Sequence, residues 1–200
     1  MFTGIVEEAG VVARVEETPS SIRLLVRTKV CGEGARIGDS IAVNGCCLTV
    51  VAIADGGESL SFDLLRETWS RTNLSASREG SLVNLERAMP ANGRIHGHFV
   101  TGHIDGTGRI EVLEKRGADW YLKINAAGEL LRYVVFKGSI AVDGMSLTVA
   151  EVAKEYFAVW IIPHTLAVTN LREKQLNDPA NLEFDLLGKH VEKLLQTRTT

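Results

Sequence analysis

The sequence predicts an all-β protein: two tandem small barrels with a helix at the carboxyl end. Three observations lead there: the chain repeats itself once, the repeated unit is a series of short apolar strands, and the last residues carry a helical stripe. The repeat is plainest where residues 40–50 read SIAVNGCCLTV and residues 139–149 read SIAVDGMSLTV, identical at eight of eleven positions at an offset of 99. Thr3-Gly4 with Val6 and Gly10 matches Thr101-Gly102 with Ile104 and Gly108 at an offset of 98. Thr68 with Thr72-Asn73-Leu74 matches Thr165 with Thr169-Asn170-Leu171, and Asn84-Leu85-Glu86 matches Asn181-Leu182-Glu183, both at an offset of 97. A period this long is not a solenoid, whose units run about 20–50 residues and need three or more copies.

Within the first unit, apolar segments at 10–15, 22–28, 40–43, 48–53 and 60–64 read as strands, and the second unit repeats them at 108–113, 120–124, 139–142, 147–152 and 157–162. Val, Ile and Leu fill them, and glycines and Asx residues punctuate their ends. Five or six such strands leave no exposed edge only if each set closes on itself, so each unit is expected to be a small antiparallel barrel. Asn44-Gly45 and Asp143-Gly144 are hairpin turns tolerating positive φ. Short helical turns are expected at 19–21, 73–76, 128–134 and 170–174. From Leu186 to Gln196, Leu187, Val191, Leu194 and Leu195 share one helical face, a narrow stripe that reads as an oligomerisation helix. The expected division is therefore 1–97, 98–185 and a helix with tail over 186–200.

Composition bounds the function. Of 200 residues, 45% are hydrophobic and 24% charged, with a net charge of −3. That is an ordinary globular balance, with no electrostatic case for nucleic acid or an anionic membrane surface as partner. No apolar run approaches the roughly 18 residues of a membrane span, and MFTGIVEEAG has neither the basic start nor the apolar core of a signal peptide. A cytoplasmic location is expected. Cys31, Cys46 and Cys47 are odd in number and two are adjacent, which does not fit a disulfide framework. CxxC and HxxxH zinc pairs, nucleotide-binding glycine loops and the Gly-x-Ser-x-Gly elbow are all absent from the sequence.

The informative positions are those where the repeat breaks its own symmetry. Cys47 stands opposite Ser146 and Asn44 opposite Asp143, at small turn positions where drift is the simple alternative. His96, His98 and His103 cluster in RIHGHFVTGHID; without a carboxylate or thiolate at supporting spacing no metal site is expected, and His96 reads as a solvated linker residue. His103 stands where the first unit has Ile5, and histidine titrates nearest neutral pH, which makes it a candidate for proton transfer. Lys137 is a loop lysine.

Taken together, MFTGIV, NGCCLTV, FDLLRET…TNL, GHFVTGHIDG and KGSIAVDGMSLTV followed by IIPHTL resemble the riboflavin synthase family of alpha-chain type, over about residues 1–190. The resemblance implies that each unit is a six-stranded Greek-key barrel binding one 6,7-dimethyl-8-ribityllumazine. The reaction it implies moves a four-carbon unit between two such molecules, giving riboflavin and 5-amino-6-(D-ribitylamino)uracil, the last step of riboflavin biosynthesis. It also implies no cofactor, a homotrimer held by its carboxyl-terminal helices with the active site between neighbouring subunits, and a lumazine synthase capsid as a further candidate partner. The family's ligand-contacting segments fall on Gly4, Ile5 and Val6, on Cys47, Leu48 and Thr49, and on Asp63, Leu64, Leu65, Arg66, Glu67 and Thr68, assigned to the first unit. Those assigned to the second are Gly102, His103 and Ile104, Lys137, Ser146, Leu147 and Thr148, and Ile161, Ile162, Pro163, His164, Thr165 and Leu166. Cys47, His103 and Ser146 are the catalytic candidates, Phe2 is expected to pack over the site, and Asp185 with Lys137 to assist charge placement.

Relatives that bind lumazine as antennae share the fold, so a non-catalytic lumazine- or flavin-binding protein is the alternative. Cys47 and Thr49 opposite Ser146 and Thr148 give both units a polar lining, which favours the enzyme.

Overall fold

The repeat folds twice into the same closed barrel. The computed structural model describes residues 1–19 and 21–196. The first barrel consists of β1 (Glu8–Glu17), β2 (Ile22–Arg27), β3 (Ser40–Val43), β4 (Cys46–Ala54), β5 (Ser59–Leu64) and β6 (Leu82–Arg87), with helix α1 (Arg66–Arg71) between the last two. The second consists of β7 (Gly106–Arg116), β8 (Asp119–Asn125), β9 (Ser139–Val142), β10 (Met145–Val152), β11 (Tyr156–Ile161) and β12 (Pro179–Phe184), with α2 (Gly128–Leu131) after β8 and α3 (Pro163–Val168) after β11. Helix α4 (Leu186–Gln196) follows. Around the first barrel the order is β1-β2-β5-β4-β3-β6, closing on β1, and the second repeats it as β7-β8-β11-β10-β9-β12. This is the six-stranded Greek-key arrangement that the resemblance implies.

Duplication extends to the irregularities. Register slips between Val12 and Arg14 in β1 and between Ile110 and Val112 in β7. It slips again between Val50 and Ala52 in β4 and between Val149 and Glu151 in β10. Bulges at matching positions bend long strands enough for a small sheet to close. Inside, alternate residues fill each barrel. Ile22, Leu24, Val26, Leu60, Phe62 and Leu85 lie in the first core, and Ile110, Leu122, Ile124, Phe157, Leu182 and Phe184 in the second.

β6 and β12 are absent from the strands expected from sequence, and the reason is physical. Val83 and Leu85 point inward, but Asn84 and Glu86 between and after them are polar and equally buried, as are Asn181 and Glu183 of β12. Their outward faces meet the other barrel, through Asn84 and Asn181, and the straps, through Glu86 and Glu183, instead of water, so the alternation reads as an interrupted apolar run. Other expectations shift by small amounts. The turn expected over 128–134 is helical only over Gly128–Leu131, those at 73–76 and 170–174 are 3-10 turns over Asn73–Ala76 and Asn170–Glu173, and α1 and α3 were not expected. The turn expected at 19–21 includes Ser20, outside the described residues.

The two barrels meet across a local twofold axis. Asn44 (φ 46°) with Gly45 (φ 77°) and Asp143 (φ 46°) with Gly144 (φ 81°) form the expected tight turns, and these touch: a Cβ on Gly45 would lie 2.7 Å from the Gly144 nitrogen. Beside them six buried Asx side chains interlock. Asn73 Nδ2 donates to Asp143 Oδ1 (2.7 Å), its counterpart Asn170 Nδ2 donates to Asn44 Oδ1 (3.0 Å), and Asn84 and Asn181 close the cycle through the Asp143 and Asn44 carbonyls (2.9 Å each). Every buried amide here thus has a partner from the other barrel. The Asn44/Asp143 asymmetry has its explanation in the same place. Lys174 Nζ lies 3.3 Å from Asp143 Oδ2, whereas the position equivalent to Lys174 in the first unit is Ser77. Charge and countercharge thus occur together in the second unit and are both absent at the equivalent positions of the first.

Among the described residues no helix is long and apolar enough to cross a membrane.

Candidate functional site

Two short straps, 2–6 and 100–104, connect the barrels crosswise. Phe2 and Val100 form an antiparallel bridge, Phe2 N donating to Val100 O (2.7 Å) and Val100 N to Phe2 O (3.2 Å). Each strap is held by its own unit's last strand. The Glu86 carboxylate accepts Thr3 N (2.7 Å), Thr3 Oγ1 (2.9 Å) and Gly4 N (3.0 Å), and Glu183 accepts Thr101 N (2.6 Å), Thr101 Oγ1 (2.7 Å) and Gly102 N (2.9 Å). Beyond that point each strap leans on the other barrel. Ser146 N donates to Gly4 O (2.7 Å), and Cys47 N donates to Gly102 O (2.8 Å). Val6 packs against the second core and Ile104 against the first.

This corrects the grouping expected from sequence. Gly4, Ile5 and Val6 belong with Ser146, Leu147 and Thr148, and Gly102, His103 and Ile104 belong with Cys47, Leu48 and Thr49. Contiguity along the chain hid the exchange. The pair of glycines signals a close approach, though not which barrel is approached. Gly4 (φ 78°) and Gly102 (φ 84°) adopt left-handed backbone, and a Cβ there would lie 2.7 Å from Ser146 Cβ and 2.5 Å from Cys47 Cβ. Only glycine lets strap and strand come this close.

In the first trough, β4 and β5 pair as far as Val50 and Phe62, and beyond them Leu48 and Leu64 are both buried in the first core beneath it. Thr49 and His103 are exposed above it and Cys47 is partly exposed. Several of the expected neighbours are already engaged. Asp63 makes a two-pronged ion pair with Arg23 (2.7 and 2.8 Å), which holds its carboxyl below the usual range. Arg66 donates to the Pro19 and Thr18 carbonyls, and Glu67 faces Arg71 at 3.7 Å on the outer side of α1. Leu65 and Thr68 remain at the rim. The adjacent thiols differ sharply: Cys46 points into the core, where burial, with the charges of Cys47 and Glu183, pushes it up to about 12.

In the second trough, Leu147 and Ile161 are the buried floor, Thr148 and Ile162 are exposed, and Thr165 and Leu166 follow on α3, which Pro163 opens. His164 is exposed beside them. Lys137 (φ 63°) sits next to Thr148, its backbone N donating to Val149 O (2.9 Å). A residue that sequence reasoning passed over lies here too. His98 Nδ1 is 2.7 Å from Ser146 Oγ, and its Nε2 is buried with no partner among the described residues. Burial lowers its pKa, against the smaller opposing effects of Asp185 and Glu183.

Two expected roles change. Phe2 does not cover a site; it is 1% exposed and fills a small core between the barrels with Ala42, Val100 and Ala141, beneath Cys47. Asp185 caps α4, its Oδ1 accepting Leu187 N (3.0 Å). A cavity of about 560 Å³ under the 88–97 linker is lined by Thr3, Ile5 and Glu86 with Met89, Pro90 and His96, and so adjoins the strap of the second trough; another, of about 470 Å³, lies beside the Asx cluster. Neither includes Thr49, His103, Ser146 or Thr148.

Comparison with known proteins agrees with this geometry. The lumazine binding domain family matches the chain twice, over residues 3–88 and 101–185. Riboflavin synthase of Actinobacillus pleuropneumoniae is 44% identical over 98% of this chain and 90% of its own length, and that of Bacillus amyloliquefaciens is 43% identical over the same shares. Riboflavin synthase of Mycobacterium tuberculosis is 44% identical over 98% of this chain and 99% of its own. Among solved structures, LumP complexed with riboflavin superposes with a TM-score of 0.85 at 25% identity, covering 92% of this chain and 99% of that one. LumP complexed with 6,7-dimethyl-8-(1'-D-ribityl) lumazine gives 0.83 at 23% identity over the same shares.

Proposed function

The chain belongs to the riboflavin synthase family, and from that membership we propose that each trough binds one 6,7-dimethyl-8-ribityllumazine and that copies of the chain assemble so that two troughs face each other. The observation that carries this reading is the pair of equivalent strap-and-strand troughs, set on barrels whose mutual contact is already closed. Gly45 against Gly144, the Asx cluster and the Phe2 core occupy that contact, and the cavity of about 470 Å³ beside it, although lined from both barrels, includes no strap residue and neither Thr49 nor Thr148. In this reading the trough facing each trough belongs to a second copy.

Juxtaposition is most of the catalysis. Two ligands held in register react as one system, which supplies on the order of 7–11 kcal/mol of the barrier. The dismutation redistributes atoms between two identical molecules and needs no external oxidant: four carbons leave one lumazine, join the other to give riboflavin, and leave 5-amino-6-(D-ribitylamino)uracil behind. Residues 1–97 and 98–185 each supply one barrel, and each trough takes its strap from the other unit. In the first trough Cys47 and Thr49 face the ligand and His103 exchanges protons with it. In the second, Ser146, Thr148 and Thr165 hydrogen-bond ring and ribityl chain, with Lys137 at the rim.

Helix α4 joins the copies. Its polar side is tied to its own barrel, Lys189 to Asp105 at 2.5 Å and Glu192 to Arg132 at 3.1 Å, while Leu187 is 67% and Val191 56% exposed on the opposite side. A homotrimer with α4 at its centre puts that stripe out of water. A lumazine synthase capsid as an outer partner belongs to the same reading.

Incubation with 6,7-dimethyl-8-ribityllumazine, followed by the rise of riboflavin absorbance, tests activity. Binding of lumazine without turnover favours the antenna reading instead.

A further inference from the structure

Glu183 is 2% exposed and Glu86 is 6% exposed, and neither carboxylate has a cationic partner among the described residues. A buried, uncompensated carboxylate is costly unless several donors surround it. Each has three, all on the strap. Burial, outweighing those donors, pushes the Glu86 carboxyl above the usual range.

The geometry around Glu183 is that of an arch. One foot is the pair of N–H groups of Thr101 and Gly102 on the Glu183 carboxylate. The other is Asp105, whose N donates to Leu182 O (2.9 Å) and whose Oδ2 accepts Phe184 N (2.9 Å). Both feet stand on β12 of the second barrel, yet the span rests on β4 of the first, through Cys47 N to Gly102 O, and His103 is exposed at the crown. The Glu86 arch repeats this with Glu7 N to Leu85 O (2.9 Å), Arg87 N to Glu7 Oε1 (2.7 Å), Ser146 N to Gly4 O and Ile5 at the crown.

We propose that Glu183 and Glu86 are positioning residues acting crosswise: Glu183, in the second unit, sets the geometry of the first trough through His103 and Cys47, and Glu86, in the first unit, sets that of the second trough through Ile5 and Ser146. The proposal rests on the trough assignment above. A carboxylate suits the task because both of its oxygens only accept, so Thr101 N and Gly102 N are held together; an amide would turn an NH2 group toward one of them.

The test uses the full chain and 6,7-dimethyl-8-ribityllumazine. Cys47 is the partly exposed thiol and Cys31 and Cys46 are buried, so protection of Cys47 from alkylation reports occupancy of the first trough, while ligand fluorescence reports total binding. Glu183→Gln is expected to raise the ligand concentration needed to protect Cys47 about tenfold, the loss of one charge-assisted contact, and to lower kcat/KM. Glu86→Gln is expected to leave Cys47 protection unchanged and weaken the remaining binding. Thr101→Val removes one donor without removing the carboxylate and is expected to give the Glu183→Gln pattern more weakly, so the proposal stays testable if Glu183→Gln fails to fold. Equal effects of both glutamates on Cys47 protection, or wild-type protection in Glu183→Gln and Thr101→Val, would overturn the crosswise role. Absence of protection in the wild type during turnover would overturn the trough assignment itself.

Discussion

His103 and Ile5 occupy the crowns of equivalent arches, one with an imidazole and the other with an alkyl group, so the two troughs are chemically unequal although built alike. In the proposed function, proton traffic belongs to the first. His103→Gln keeps size and hydrogen bonding but cannot titrate, and is expected to lower kcat by about a hundredfold or more, within the range of general acid–base contributions, with lumazine affinity changed less than threefold. Single-turnover riboflavin formation beside a binding titration checks both. His98 behaves differently. Its folded state resists protonation because the ring is buried, so the unfolded chain takes up the proton first as pH falls below 6.5. The expected result is stability that declines as pH falls below 6.5 and a flatter profile in His98→Gln, read from denaturant midpoints on the acid side of that value.

At the scale of elements, sequence and structure part where a strand is buried on both faces by unlike material. β2 and β5 were legible because their outward residues meet water. β6 and β12 were not, because Asn84 and Asn181 point into the other barrel and Glu86 and Glu183 into the buried straps, and their polarity there imitates a loop. The other five strands of each repeat were readable; the exchange of straps was not, since nothing local distinguishes Gly4 resting on Ser146 from Gly4 resting on Cys47. The histidine at crown 103 could be singled out by the break in symmetry, whereas His98 has no counterpart in the first unit, its equivalent position preceding Met1, and self-comparison is blind to it. Helix α4 was legible by periodicity alone. Deleting residues from Leu186 onward exposes no barrel core, so the truncated chain is expected to fold, sediment as a monomer and lose riboflavin formation while retaining lumazine binding. A fully active monomer would contradict the inter-subunit arrangement.

At the scale of the whole molecule, the Asx cluster fixes how the barrels sit. Asp143 is 1% exposed and Lys174 is its cation. Lys174→Met leaves the carboxylate buried without that charge and is expected to destabilise the protein by about 3 kcal/mol, measured by urea unfolding. The double variant Asp143→Asn/Lys174→Ser reproduces the Asn44/Ser77 pairing of the first unit and is expected to recover most of the loss. An additive result from the double-mutant cycle would show that the pair is not coupled.

The crossing of the straps also bears on what half of this chain could do. A fragment ending near the midpoint carries a barrel whose missing cover lies on the deleted half, and the replacement within reach is the amino-terminal end of another identical fragment. Such fragments would assemble as symmetric pairs with an isoleucine at both crowns: able to hold the pteridine, yet devoid of the imidazole that tells one receptacle from the other. Joining both copies in a single polypeptide is what lets one crown carry an imidazole and the other an alkyl group.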